Sequence, residues 1–209
     1  TQNANNNRIE GFYRTVDQGA NWERISNPGG DDQMAKQQAW FDLIIEVDPN
    51  DPNTVATGGL NIWRSKDAGD TWQQLTEGDL RVETDLQYVH VDQHDIIFLD
   101  SDTLYFLNDG GIYRCDEFTK DTPNIYNIGL NYNTTQFYSL AVYPHTDDNW
   151  VMGGTQDNGT QASTLDGIGE YRRVSRADGS FCAIDFKNPD YLYSTTQFRR
   201  VFRTYKDQV

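Results

Sequence analysis

An all-β fold assembled from repeated four-stranded antiparallel sheets is what this sequence predicts, on three observations. Short apolar runs of strand length return between clusters of Gly, Pro, Asn and Asp, and no segment holds a 3.6-residue apolar period long enough for a helix. A compact turn, Ser65-Lys66-Asp67-Ala68-Gly69-Asp70-Thr71-Trp72, has an upstream counterpart in Thr15-Val16-Asp17-Gln18-Gly19-Ala20-Asn21-Trp22, and fifty residues separate Asp17 from Asp67. The lead-in pairs Tyr13-Arg14 and Trp63-Arg64 recur at the same step as Tyr113-Arg114, and Gly-Gly pairs beginning at 58, 110 and 153 close apolar strands.

Each specified residue of the turn has a chemical reason. Asp67 folds its carboxylate back onto N–H groups of its own turn, and Gly69 supplies a backbone conformation that a side chain resists. Trp72 enters the following strand as a large buried wedge. Asp17, Gly19 and Trp22 repeat these roles, with Ser65 and Thr71 adding hydroxyls to the later copy. After Tyr113-Arg114 the sequence Cys115-Asp116-Glu117 loses the Gly and the Trp, so a third copy is nearly erased. Phe202-Arg203-Thr204 opens a further candidate copy.

Taken in order, residues 1–7 are Asn-rich and aperiodic and read as a loop. A partial sheet spans 8–26, with Glu23-Arg24-Ile25-Ser26 returning from the first turn. Asn27-Pro28-Gly29-Gly30-Asp31-Asp32 is a linker, and Met34 to Gln38 makes at most one helical turn. The first full sheet spans 38–80: Phe41 to Val47 as a strand, a turn through Pro49 and Pro52, Thr54 to Gly59 pairing back, then Asn61 to Arg64 running into the aspartate turn. The order repeats over 84–128, with Val89 to Asp92, Leu104 to Phe106 and Ile112 to Arg114. It repeats again over 134–175, with Phe137 to Val142, a turn at Tyr143 to Asp148, and Trp150 to Gly154. A last partial sheet spans 180–209, with Phe181 to Asp185, a turn at Lys187 to Asp190, and Tyr191 to Ser194.

Ser65 to Trp72 resembles the Asp-box (BNR) repeat of β-propellers, found in sialidases, xyloglucanase-type glycoside hydrolases, sortilin-type receptor domains and many secreted bacterial proteins. The resemblance implies a β-propeller of four-stranded blades in which the box sits on a hairpin away from the usual ligand face and is structural. Propellers close with about 4–8 blades. The 209 residues hold about four repeats of this length, so the chain reads as a segment of a larger propeller whose remainder is its partner. The stretch from Gly129 to Gly154, with Thr134-Thr135-Gln136-Phe137-Tyr138 and the ending Gly153-Gly154-Thr155-Gln156-Asp157-Asn158-Gly159, is similar to large secreted Bacteroidetes-type propeller proteins.

Composition excludes some functions. A formal net charge of −15 leaves no basic stripe for phosphates, so nucleic acid is not an expected partner. No apolar run approaches the roughly eighteen residues of a membrane span. Cys115 and Cys182 leave one disulfide or two free thiols open. The family resemblance and the sequons Asn133-Thr134-Thr135 and Asn158-Gly159-Thr160 point to an extracellular or cell-surface location.

Three groups are candidates for chemistry. His90-x-Asp92-x-His94 places metal-ligating types on alternate positions of one apparent strand, which share a face. His90 and His94 would then lie roughly 13 Å apart at about 3.4 Å per residue, so a metal would need a neighbouring pair plus a ligand from elsewhere. Gln156, Asp157 and Asn158 put amide and carboxylate groups on a glycine-punctuated turn suited to a sugar or to Ca2+. Trp40, Tyr138 and Trp150 are candidate sugar platforms, set against the usual burial of large aromatics. No cofactor is required, although Ca2+ or another divalent cation fits these oxygens. Arg14, Arg64 and Arg114 recur because the sheet recurs, which makes them poor candidates for a sialidase arginine triad. The expected function is a secreted, non-catalytic recognition or scaffold module for a glycan or an extracellular protein. The alternative is part of a xyloglucanase-like glycoside hydrolase, whose two carboxylates the sequence does not single out.

Overall fold

The computed structural model describes residues 6–30, 34–130, 132, 135–145, 150–163 and 171–209. Readings that fall on 1–5, 31–33, 131, 133–134, 146–149 and 164–170 lie outside the described residues; these include most of the first loop, Asp31-Asp32 of the linker, the Asn133 sequon and the turn at 146–148. The chain forms two compact units, Thr1–Tyr132 and Asn133–Val209.

The first unit is a series of antiparallel meanders. Strands β1 (Phe12–Arg14) and β2 (Glu23–Ile25) form a two-stranded sheet. Strands β3 (Ile44–Val47), β4 (Val55–Gly58), β5 (Ile62–Ser65) and β6 (Gln73–Gln74) form a four-stranded sheet in sequence order, as do β7 (Gln93–Phe98), β8 (Leu104–Asn108), β9 (Gly111–Cys115) and β10 (Ile125–Asn127). The period-2 alternation of a strand explains the packing of β5, which is buried throughout. Ile62 enters a core with Ala56, Leu75, Val89, Ile96, Leu104, Phe106, Tyr113, Cys115, Phe118 and Ile125. Its neighbour Trp63 points the other way, into a core with Ile9, Phe12, Met34, Ala35 and Ala39. One strand therefore cements two sheet interfaces, which a single alternating sequence makes possible.

The second unit repeats the plan. Strands β11 (Phe137–Val142), β12 (Val151–Thr155), β13 (Gly159–Ser163) and β14 (Arg172–Ser175) make a four-stranded sheet, and β15 (Gly179–Ile184), β16 (Tyr191–Thr196) and β17 (Arg200–Tyr205) a three-stranded one. Trp150, Met152, Ala162 and Leu192 form its core. Among the described residues the only helices are single 3-10 turns at Gln197–Arg199 and Lys206–Gln208, the latter following β17 where a further aspartate turn was a candidate. No helix among the described residues is long and apolar enough to cross a membrane. Cys115 and Cys182 are free thiols.

Both aspartate turns have the same wiring. Asp67 Oδ1 accepts from the Thr71 N–H at 2.7 Å and from the Ser65 hydroxyl at 2.8 Å, and Oδ2 accepts from the Thr71 hydroxyl at 2.6 Å. Asp17 accepts from the Asn21 N–H at 2.8 Å, the Thr15 hydroxyl at 2.9 Å and the Asn21 amide at 2.6 Å. These bonds hold both carboxylates below their ordinary range, the side chain of Thr71 acting most strongly on Asp67 and that of Asn21 on Asp17. Gly69 at φ 93° and Gly19 at φ 90° take the left-handed step the turn needs. The third turn keeps its backbone without the staple: the Lys120 N–H donates to Glu117 O at 3.0 Å, as Asp70 does to Asp67 O at 3.2 Å and Ala20 to Asp17 O at 3.3 Å.

The recurrent arginines explain why that backbone survives. Arg14 reaches forward to Ala68 O at 3.0 Å, in the turn of the following sheet. Arg64 makes the same reach to Phe118 O and to Lys120 O at 2.6 Å, in the third turn. Arg14 and Arg64 thus grip the next sheet by main-chain carbonyls, which any turn sequence supplies, whereas Arg114 pairs with Asp116. Trp72 differs from the buried wedge expected of it: the ring is half-buried, stacked at a tilt on Phe12 at 5.6 Å, and its N–H donates to Ser26 O at 3.0 Å. Trp22 is 62% exposed and donates only within its own turn, to Gly19 O at 3.2 Å. The difference follows from what each ring faces, since the β1–β2 sheet lies under Trp72 and no described sheet lies under Trp22.

Candidate functional site

Register locates the end of each sheet that is opposite the aspartate turns. In the first four-stranded sheet Val47, Val55 and Ser65 are aligned at the turn end, and Ile44, Gly58 and Ile62 at the other. In the next sheet Gln93, Asn108 and Gly111 are aligned at that same other end. Three segments therefore gather there: 38–43 ahead of β3, 90–92 ahead of β7, and the tight turn through Asp109 and Gly110 between β8 and β9.

The gathered side chains are acidic and aromatic. Asp42 is fully buried, and Gln38 Nε2 donates to its Oδ2 at 3.4 Å and to Asp92 Oδ1 at 2.7 Å. The Gln38 amide thus bridges the Asp42 and Asp92 carboxyls. Asp109 Oδ1 faces His94 Nε2 at 2.7 Å. Burial first, then the charge of Asp92, drives the Asp42 carboxyl far above its ordinary range; burial and then the charge of Asp109 raise Asp92. The His94 ring meets Phe41 edge-on at 4.8 Å, and Phe41 meets Trp40 at 5.5 Å, with Trp40 63% exposed. A protonatable carboxyl pair thus stands beside an open aromatic shelf.

The histidine cluster differs from its sequence reading in one respect. His90 and Asp92 precede β7, and Asp92 turns the chain at φ 65°, so the alternation of a single strand is broken before His94. His90 Nδ1 faces Val91 O at 3.0 Å, and its ring fills the space above Gly110, where an added Cβ would strike it. Asp92 and His94 come together around Asp109, and His90 sits at the edge of the group.

Gln156, Asp157 and Asn158 form the β12–β13 turn, which occupies the corresponding place in its own sheet: Phe137, Thr155 and Gly159 are aligned beside it. The Asp157 N–H donates to Asp178 Oδ1 at 2.9 Å, the Gln156 N–H to Gln136 O at 3.2 Å and the Thr155 hydroxyl to Gly159 O at 2.6 Å. Of the candidate platforms, Trp150 is core, whereas Trp40 and Tyr138 are exposed.

Asp42, Gln38 and Asp109 escaped the sequence reading. Asp42 sits in what reads as an apolar strand, and its partner is far away in the chain. One signal was present: Asp42 and Asp92 are fifty residues apart, the same step as the aspartate turns, each just ahead of the first strand of its sheet.

No protein-family model matches this chain, and no curated protein matches it. Solved structures do. A GH74 enzyme of Niastella koreensis is similar over 92% of this chain and 30% of its own, at 15% identity and a TM-score of 0.55. The GH74 xyloglucanase from Xanthomonas campestris covers 92% of this chain and 32% of its own at 14% identity, with a TM-score of 0.39. YCF48 from Cyanidioschyzon merolae covers 94% and 77% at 14% identity, with a TM-score of 0.29. The chain spans less than a third of the Niastella enzyme, and that likeness carries the fold: an all-β propeller segment of four-stranded antiparallel blades.

Proposed function

We propose that this chain belongs to an extracellular, non-catalytic β-propeller module that recognises a neutral glycan at the end of its blades opposite the aspartate turns. The two stapled turns are read as Asp boxes, which hold successive blades together and leave the opposite loops to carry the ligand. The observation that supports this most is the shelf of Trp40 and Phe41 beside the partly exposed Asp92 and Asp109 carboxyls. Sugar rings present apolar C–H faces to an aromatic ring and hydroxyl donors to carboxylates, and this surface offers both. A net charge of −15 favours a neutral over an acidic glycan. Gln156, Asp157 and Asn158 supply equivalent contacts within the second unit.

The carboxyl pair speaks against hydrolysis at this point. Glycosidases need both carboxyls open to the sugar between them, whereas Asp42 is shut off from solvent and its carboxyl is bridged to Asp92 by Gln38. The test is a neutral-oligosaccharide array followed by calorimetry and a reducing-end assay. Binding without turnover, weakened about tenfold by Trp40→Ala, is the expected result. Turnover, or affinity unchanged in Trp40→Ala, would reject it.

A further inference from the structure

We propose that the open face of the β15–β17 sheet receives the first aspartate turn of a second copy of this chain, in a head-to-tail contact of Val201 and Arg203 of one copy with Trp22 and Gln18 of the other. This does not rest on the glycan reading.

The first unit already makes one such contact. Phe12 and Arg14 share a face of β1 and meet the Ser65–Trp72 turn: the Phe12 and Trp72 rings lie 5.6 Å apart, and Arg14 donates to Ala68 O at 3.0 Å. Ile62 and Arg64 repeat the pair on β5, with Arg64 donating to Phe118 O and Lys120 O. Where a sheet follows, the apolar member is closed off: Phe12 is 6% exposed, and Ile62 and Arg64 are fully buried.

The same pair returns on β17 with nothing closing it. Phe202-Arg203-Thr204 repeats Tyr13-Arg14-Thr15, so Val201 and Arg203 hold the positions of Phe12 and Arg14. Register sets Val201 opposite Thr195 and Arg203 opposite Tyr193. The reverse face of this sheet is filled, since Leu192 and Ser194 are buried and Leu192 joins the core of Trp150, Met152 and Ala162. On the open face Val201 is 67% exposed, and the exposed Arg203 guanidinium lies over the Tyr191 ring at 5.2 Å.

The matching half is on the same chain. Trp22 closes its turn as Trp72 does, yet is 62% exposed. Gln18 occupies the place of Ala68, and both take the left-handed backbone, at φ 60° and 55°. Carrying over the contacts of Phe12 and Arg14 sets Trp22 of one copy on Val201 of the other, and Gln18 O under the Arg203 guanidinium. Trp and Arg are the residues that most often anchor an interface. The two surfaces differ, so the contact is heterologous, and copies join as a closed ring or as a row.

Analytical ultracentrifugation of the full chain over a concentration series tests this. The average mass should rise above the monomer with concentration, and Val201→Asp and Trp22→Ser should each weaken association about tenfold or more. Both positions are exposed, so circular dichroism of the two variants should match the wild type. Mixing the variants should restore association, because each brings the surface the other lacks, and should stop at a pair. A monomer up to about 1 mM overturns the proposal. So does association that Val201→Asp abolishes and Trp22→Ser leaves intact, since that marks two open β15–β17 faces pairing with each other.

Discussion

Removing Trp72 and Trp22 in turn separates the staple of a blade from its docking. The two residues close identically wired turns, yet only Trp72 has a sheet beneath it. Full loss of a buried Trp costs about 3–5 kcal/mol. Trp72 is half-buried on Phe12, so its share is about 2 kcal/mol, and loss of its hydrogen bond to Ser26 O adds about 1 kcal/mol. Trp72→Ala should therefore destabilise the first unit by about 3 kcal/mol. Trp22, at 62% exposure with one bond inside its own turn, should lose about 1 kcal/mol or less. With a urea slope of about 2 kcal/mol/M, these become midpoint shifts of about 1.5 M and 0.5 M. Circular dichroism in urea reads them without relying on the removed fluorophore. Equal shifts for the two variants would refute the reasoning, because they would place the energy in the turn and not in the contact between sheets.

Two further outcomes follow from the same contacts. Arg64→Met strips donors from the buried Phe118 O and the part-buried Lys120 O and should cost about 3 kcal/mol; Arg114→Met, whose partner Asp116 is at the surface, should shift the urea midpoint far less in the same assay. Asp67 has a folded-state pKa below its unfolded value, so its stabilisation is complete above the ordinary carboxyl range, near pH 4, and is lost as pH falls through the lower folded value. Asp67→Asn should accordingly have a flatter acid limb than the wild type, with the two curves approaching one another at low pH.

What could be read from the sequence was what repeats locally. The Ser65–Trp72 turn carries its own hydrogen bonds, so eight residues suffice to predict it, and its Asp17 copy has the same wiring despite Thr15 and Asn21 standing for Ser65 and Thr71. The alternation at Ile62-Trp63 likewise reveals a strand buried on both sides. Strand starts were less legible. The strand expected from Phe41 begins at Ile44, because the Phe41 and Asp42 N–H groups donate to Gln38 O at 2.7 and 3.2 Å and close a turn first. Met34 and Ala35, which read as part of a helical turn, are fully buried in the core beside Trp63. The acidic group was hidden for another reason: Asp42, Asp92 and Asp109 meet only when two sheets pack, and no local pattern encodes that. Aligning the repeats at their fifty-residue step would have brought Asp42 and Asp92 into the same column.

The most direct test of the recognition surface is amide hydrogen exchange on the full chain, with and without a neutral oligosaccharide it binds. Protection should concentrate in 38–43, 90–94 and 108–111, while 15–22 and 65–72 keep their free-state rates. Protection at the two aspartate turns, with the opposite loops unchanged, would put the ligand at the wrong end of the blades and contradict the account.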